Sequence, residues 1–136
     1  MSKPNFPEGI ALVIGGSGGM GAEICIELAN AGADVALTYN GNEARAQQTV
    51  ERVKSTGKNA TCYQLSIGDE DRVLSLINEL AQTQRIHTIV IAAGSDIGQP
   101  LIRDLSPANW KKVMDADVAG FFNIVHASLP HMKAAG

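Results

Sequence analysis

Along this chain, short unbroken apolar runs alternate with longer stretches in which apolar residues recur every three or four positions. The first run, Ile10-Ala11-Leu12-Val13-Ile14, predicts a strand buried on both faces. Behind it Ile24, Leu28 and Ala31 recur at helical spacing and predict a helix over residues 19–31 that lies on the sheet by that stripe and ends at Gly32. Residues 35–39 form a second apolar run, after which Asn40, Gly41 and Asn42 supply turn chemistry and Asn42 is placed to cap the next helix. That helix carries Ala46, Val50 and Val53 on its inner face and stops by Gly57. Residues 59–65 read as a third strand, and Asp69 caps a helix with the inner stripe Val73, Leu76, Ile77 and Leu80. A fourth strand spans residues 88–93 and is ended by Gly94. After a loop over residues 95–105, Ser106 caps a long helix with Pro107 in its first position. The inner face of that helix reads Trp110, Val113, Met114, Asp117, Phe121, Ile124 and Val125, with Asp117 as its one charged member.

Strands alternating with helices imply right-handed βαβ units and a parallel sheet. The expected fold class is therefore α/β: a Rossmann-like, doubly wound sheet of four strands in the order 3-2-1-4, with helices on both faces. No repeat, linker or low-complexity segment interrupts the pattern, so residues 1–136 are expected to form a single domain. The loop over residues 95–105 falls at the carboxyl end of strand four, where such sheets bind ligands.

Between the first strand and its helix stands Gly15-Gly16-Ser17-Gly18-Gly19-Met20-Gly21. A diphosphate approaches backbone N–H groups closely only where no Cβ intervenes, and the following helix points its unpaired N–H groups and positive dipole end at the anion. Gly16, Gly18 and Gly21 fit G-x-G-x-x-G, whereas Gly15, Gly19 and Gly21 fit G-x-x-x-G-x-G; either register places a dinucleotide in the same crevice.

Composition narrows the partners. With 45% hydrophobic and only 4% aromatic residues, 14 glycines and a net charge of −3, the chain suits a sheet packed under helices and offers no basic run to neutralise a series of phosphates. Nucleic acid is thereby excluded as the expected partner. No apolar stretch is long enough to span a bilayer, so no membrane role is expected and a cytoplasmic location follows. Cys25 and Cys62 lack C-x-x-C spacing and read as buried free thiols, not a redox pair or zinc site; no metal is expected. His87, His126 and His131 read as surface or packing residues, and Ser128, with no base spaced to activate it, as helix surface.

With loop, sheet and long helix in place, the chain resembles the short-chain dehydrogenase/reductase family. The likeness runs from Ala11-Leu12-Val13-Ile14-Gly15 through Trp110-Lys111-Lys112-Val113-Met114-Asp115 to Leu129-Pro130-His131-Met132, and within the family its texture is that of 3-oxoacyl-carrier-protein reductases and glucose-dehydrogenase-like members. The resemblance implies the G-x-x-x-G-x-G register and an oxidoreductase that moves a hydride between a nicotinamide cofactor and a carbonyl or alcohol, a small-molecule substrate. It implies cofactor contacts from Gly15, Ser17, Gly18, Gly19, Met20 and Gly21 in the loop, Thr38 and Asn40 after strand two, Ser66 and Ile67 after strand three, and Ala92, Ala93 and Gly94 after strand four. A homo-oligomer is expected of the parent protein, with the long helix as a contact face.

Departures from the family pattern fall at the cofactor. Ile14 stands where a threonine ties the loop to strand four, Ile91-Ala92-Ala93-Gly94 where Asn-Asn-Ala-Gly is usual, Ser66 where an aspartate addresses the adenine, and Asp117 where an asparagine distorts the long helix and holds a relay water. Asp117 is the sole catalytic candidate on this basis. The family's catalytic serine and Tyr-x-x-x-Lys pair lie beyond Gly136, and Tyr39 and Tyr63 are followed four residues on by Glu43 and Ile67. The chain is accordingly read as the amino-terminal part of a longer reductase, lacking strands five and six and inactive alone. A degenerate dinucleotide-binding or scaffold module is the alternative. At the end of strand two, Thr38-Tyr39-Asn40 holds no acid to grip a ribose 2′-hydroxyl, which favours NADP over NAD, with Ser17, Thr38 and Asn40 as partners for a 2′-phosphate.

Overall fold

A computed structural model describes residues 6–136. Its four strands, β1 (Ile10–Ile14), β2 (Asp34–Tyr39), β3 (Ala60–Gln64) and β4 (Ile86–Ile91), pair parallel in the order β3-β2-β1-β4. Between them run α1 (Gly19–Asn30), α2 (Glu43–Lys54) and α3 (Glu70–Thr83). All five residues of β1 are buried, as a strand with neighbours on both sides and helices on both faces requires.

Successive side chains of a strand point to opposite faces, so the sheet divides its apolar residues between two cores. Leu12, Ile14 and Ala36 pack with Val73, Leu76, Ile77 and Leu80 of α3, while Val13, Val35 and Leu37 pack with Cys25, Ala29, Ala46, Val50 and Val53 of α1 and α2. Both expected caps form: Asn42 Oδ1 accepts the Arg45 N–H at 3.0 Å and Asp69 Oδ1 the Arg72 N–H at 3.1 Å. β4 begins and ends two residues earlier than expected because β1 sets its register, Ile10 pairing with Ile86 and Ile14 with Ile91.

The face of α1 is rotated from expectation. Gly21, Ala22, Cys25 and Ala29 are its buried residues, and Ile24 and Leu28 flank them half-buried. Small residues win the central positions because the helix lies close to the strands beneath; a Cβ on the adjacent Gly16 would stand 2.5 Å from Leu37 Cβ and 3.1 Å from Cys25 Sγ. Cys62 is half-buried on β3, not buried as expected.

Following a 3-10 turn at Ile102–Asp104, the long helix appears in three parts: α4 (Pro107–Val113), a π-helical segment (Met114–Ala119) and α5 (Gly120–Ala135). Ser106 Oγ accepts the Asn109 N–H at 3.1 Å and Pro107 opens α4, as expected. The wider π turns change the phase of the helix. Gly120, Ile124, Ala127 and Ser128 of α5 become its buried residues, and a Cβ on Gly120 would reach within 2.6 Å of Ile67 Cγ1. Trp110, Phe121 and Val125, expected inside, are 53%, 53% and 39% exposed, and Asp117 is exposed too. Ser128, expected at the surface, is buried and donates to the Val125 carbonyl at 3.3 Å. Among the described residues β4 carries a partner on its β1 side only, and beside it Ile89, Ile91, Phe121, Val125, Leu129 and Met132 line an apolar groove.

Candidate functional site

The carboxyl ends of all four strands open on one cavity of about 800 Å³. Gly15, Ser17 and Gly18 line it from the loop after β1, Thr38, Tyr39 and Asn40 from the end of β2, Leu65 to Gly68 after β3, and Ala92 to Asp96 after β4. Ala108, Lys111, Lys112, Asp115 and Ala116 close the far side.

The glycine loop is shaped by close backbone approaches. Gly15 has φ +87°, and a Cβ there would lie 2.7 Å from the Ala93 nitrogen, so the loop after β1 and the turn after β4 touch through bare backbone. Two consecutive amides of the loop are held by β2: the Gly15 N–H donates to Thr38 Oγ1 at 3.1 Å and the Gly16 N–H to the Thr38 carbonyl at 2.9 Å. Gly18 sits at the N-cap of α1 and has no side chain to satisfy the first turn, which leaves the Gly19, Met20 and Gly21 amides without a side-chain cap. A Cβ on Gly19 would meet nothing within 4 Å, so the space in front of this uncapped helix end is open. Donors without a side-chain cap, a positive dipole end and an open approach are what an anion requires of a helix terminus. These are the features that a dinucleotide's diphosphate requires, and the residues present fit it.

At the end of β2, Tyr39 is half-buried. Its phenol is pushed above the ordinary tyrosine range by burial first, then by the Glu43 carboxylate and by Cys62. Neutral at physiological pH, it presents a hydroxyl beside Asn40 and no charge. Near the turn after β4, Asp117 Oδ1 accepts the Ser95 N–H at 2.8 Å and the Lys112 carbonyl accepts from Ser95 Oγ at 3.3 Å. Ser95 thus fastens the turn after β4 to the junction of α4 and the π-helical segment. On the same wall Lys111 Nζ pairs with Asp115 Oδ2 at 2.5 Å, both side chains being more than half exposed.

Of the residues picked from sequence, Gly15, Ser17, Gly18, Thr38, Asn40, Ser66, Ile67, Ala92, Ala93 and Gly94 line the cavity together. Gly19, Met20 and Gly21 do not line it: Gly19 and Met20 form the exposed first turn of α1, and Gly21 is buried under the loop. Thr38 is 1% exposed and its hydroxyl oxygen serves the Gly15 amide, which makes it a poorer partner for a 2′-phosphate than expected. Asp117 accepts one backbone hydrogen bond at the surface and is not the buried carboxylate that its place on the helical stripe suggested. Sequence reasoning missed the wall built from Lys111, Lys112, Asp115 and Ala116, since a helical stripe identifies a core-facing side and carries no mark for residues that turn toward a cavity.

Fold and cavity together define a doubly wound α/β protein with a glycine loop opening at the carboxyl ends of its strands. The short chain dehydrogenase family model matches residues 9–136, and the chain belongs to that family of oxidoreductases. It is 35% identical over 133 residues to the short-chain dehydrogenase/reductase FrzI of Cladobotryum sp, covering 97% of this chain and 51% of that protein. The 3-oxoacyl-[acyl-carrier-protein] reductase FabG of Staphylococcus aureus is 32% identical over 123 residues, 90% of this chain and 50% of that protein. A short chain dehydrogenase from Burkholderia cenocepacia, solved in complex with NADP, superposes with a TM-score of 0.83 at 30% identity, covering 91% of this chain and 51% of its own. The chain spans about half the length of the curated relatives it matches.

Proposed function

We propose that residues 1–136 form the dinucleotide-binding domain of an NAD(P)-dependent oxidoreductase that transfers a hydride between nicotinamide and a carbonyl or alcohol, with a 3-oxoacyl thioester as the favoured substrate class. The observation that carries this reading is the uncapped amino terminus of α1, standing open behind a glycine loop at the edge of the cavity. The diphosphate belongs at that helix end. The adenosine half runs toward Thr38-Tyr39-Asn40 and Ser66-Ile67, and the nicotinamide toward Ala93, Gly94 and Ser95. When bound, the cofactor supplies or accepts the hydride; the chain's own residues hold and orient it. General acid chemistry needs a proton donor within hydrogen-bond reach of the carbonyl oxygen, and these 136 residues hold no Tyr-x-x-x-Lys, so that function falls to groups outside them.

NADP is the favoured cofactor. Among the described residues no carboxylate lines the cavity at the end of β2, where Tyr39 and Asn40 present only neutral donors and acceptors, and Ser17 lies in the same cavity. The complex of the Burkholderia relative with NADP supports this choice. A cytoplasmic homo-oligomer joined across the exposed side of α4 and α5 completes the proposal.

Titration of the protein with NADPH and NADH, followed by fluorescence, tests it. Micromolar binding that Gly19→Asp abolishes supports the reading, because the new carboxylate would stand in the anion's place. A second reading, a module that has lost the dinucleotide, draws on Ile14, Ser66, Ile91 and Asp117; a folded protein that binds neither nucleotide would establish it in place of the first.

A further inference from the structure

Two amides of the glycine loop are held by a residue outside it. Ile14, the last residue of β1, is fully buried and apolar and gives the loop no side-chain hydrogen bond. Thr38, one strand away on β2, gives it two acceptors: its hydroxyl oxygen takes the Gly15 N–H at 3.1 Å and its carbonyl takes the Gly16 N–H at 2.9 Å. Gly15 is the point at which the chain turns out of β1 with positive φ, and Gly16 packs against Leu37 and Cys25. With both amides drawn back toward β2, they cannot serve an anion, and the donors left for one are those of the first turn of α1.

We infer that Thr38 is a positioning residue: its hydroxyl sets the direction of the glycine loop and so fixes where the loop and the first turn of α1 can receive a diphosphate. The inference rests on the dinucleotide reading for its ligand, and on geometry alone for the loop. Thr38 lies beside Tyr39 and Asn40, so the same stretch of β2 that faces the ribose also holds the phosphate loop. It is 1% exposed, which shields the hydroxyl–amide bond from competing water.

Two substitutions separate the hydroxyl's role from simple packing. Thr38→Val keeps the volume and the β-branch but removes the acceptor, whereas Thr38→Ser keeps the acceptor and loses a methyl. In the nucleotide-free protein, amide hydrogen exchange followed by NMR should show Gly15 opening at least about tenfold faster in Thr38→Val, with Leu12 and Leu37 unchanged, and Thr38→Ser should restore the slow rate, in line with the cost of leaving a buried donor unpaired. NADPH affinity should fall about tenfold in Thr38→Val and stay within about twofold in Thr38→Ser, since a factor of ten is the weight of one well-made hydrogen bond. Equal Gly15 exchange in wild type and Thr38→Val would overturn the inference, as would a Thr38→Ser protein that behaves like Thr38→Val. If Thr38→Val does not fold, the Thr38→Ser comparison with Thr38→Ala decides, on the same exchange rate. A wild-type protein that binds no nucleotide while Gly15 exchange still answers to the hydroxyl would overturn the dinucleotide reading and leave the loop-holding role standing.

Discussion

Gly21 lies directly beneath Gly15: a Cβ built on Gly21 would stand 2.1 Å from the Gly15 carbonyl oxygen and 3.1 Å from Gly16 Cα. Both obstacles are backbone, so the first turn of α1 and the glycine loop cannot separate to make room without moving β1. Gly21→Ala should therefore cost about 2 kcal/mol of stability, as overpacking does, measured from urea unfolding midpoints.

Gly19 gives the opposite outcome. A Cβ there meets nothing within 4 Å, and the residue has ordinary helical backbone, so Gly19→Ala should leave stability unchanged or raise it by up to about 0.5 kcal/mol. Its methyl stands in the open approach to the helix end, and dinucleotide affinity should drop about tenfold, or about 1.4 kcal/mol. A loss of affinity without a loss of stability in the same variant would separate the open glycine at the helix terminus from the packing one.

Asp117 holds Ser95 through one charge-assisted hydrogen bond of 2.8 Å at the surface. Asp117→Ala should destabilise by about 1 kcal/mol and speed proteolytic cleavage in the loop over residues 95–105, while Asp117→Asn, which keeps an acceptor oxygen, should stay within about 0.5 kcal/mol of wild type. Urea unfolding and limited trypsin digestion, with cleavage at Arg103, check both.

The ring of His87 stacks on Phe6 at 5.2 Å, and among the described residues its Nε2 is the one buried side-chain polar atom with no partner. Burial first, and Arg85 second, push its pKa below 6.5. The unfolded chain then takes the proton before the folded one does, so stability should fall as the pH drops through 6.5 and level off once the folded protein is protonated too. His87→Gln should remove that slope; an unfolding midpoint equally pH-dependent in the variant would assign it to other groups.

Cys25 is fully buried, and desolvation raises its thiol to about 12, whereas Cys62 is half-exposed on β3. An aromatic disulfide reagent at pH 8 should modify one thiol in the native protein and the second only in denaturant, with mass spectrometry of peptides placing the first on Cys62.

How much the sequence discloses follows from which signals are local. The caps at Asn42, Asp69 and Ser106 depend on residues three positions apart, and each appears where the pattern puts it, whereas the strand order β3-β2-β1-β4 follows from the alternation of strands and helices along the whole chain. The stripe of α3 is likewise complete, since Val73, Leu76, Ile77 and Leu80 are all buried in a helix of regular pitch. The long helix departs from the same reasoning because none of α4 is buried, Trp110 included, and because Phe121 and Val125 face the apolar groove beside β4 while the π-helical segment interrupts the 3.6-residue period between the two parts. Thr38 illustrates the other limit: its hydroxyl meets an amide 23 residues away, a pairing created by the sheet and unmarked in either segment. The cavity wall at Lys111 and Asp115 is of the same kind.

The position of β1 in the sheet also bears on how the molecule assembles. Ile10 pairs with Asp34, 24 residues on, and with Ile86, 76 residues on, so one strand must collect partners from both near and far along the chain. Because the entropy of closing a loop grows only with the logarithm of its length, the distant pairing costs about 1 kcal/mol more than the near one. The βαβ unit of β1, α1 and β2 is the natural nucleus, and the attachment of β4 is a later event whose speed depends on α3 already lying across the sheet.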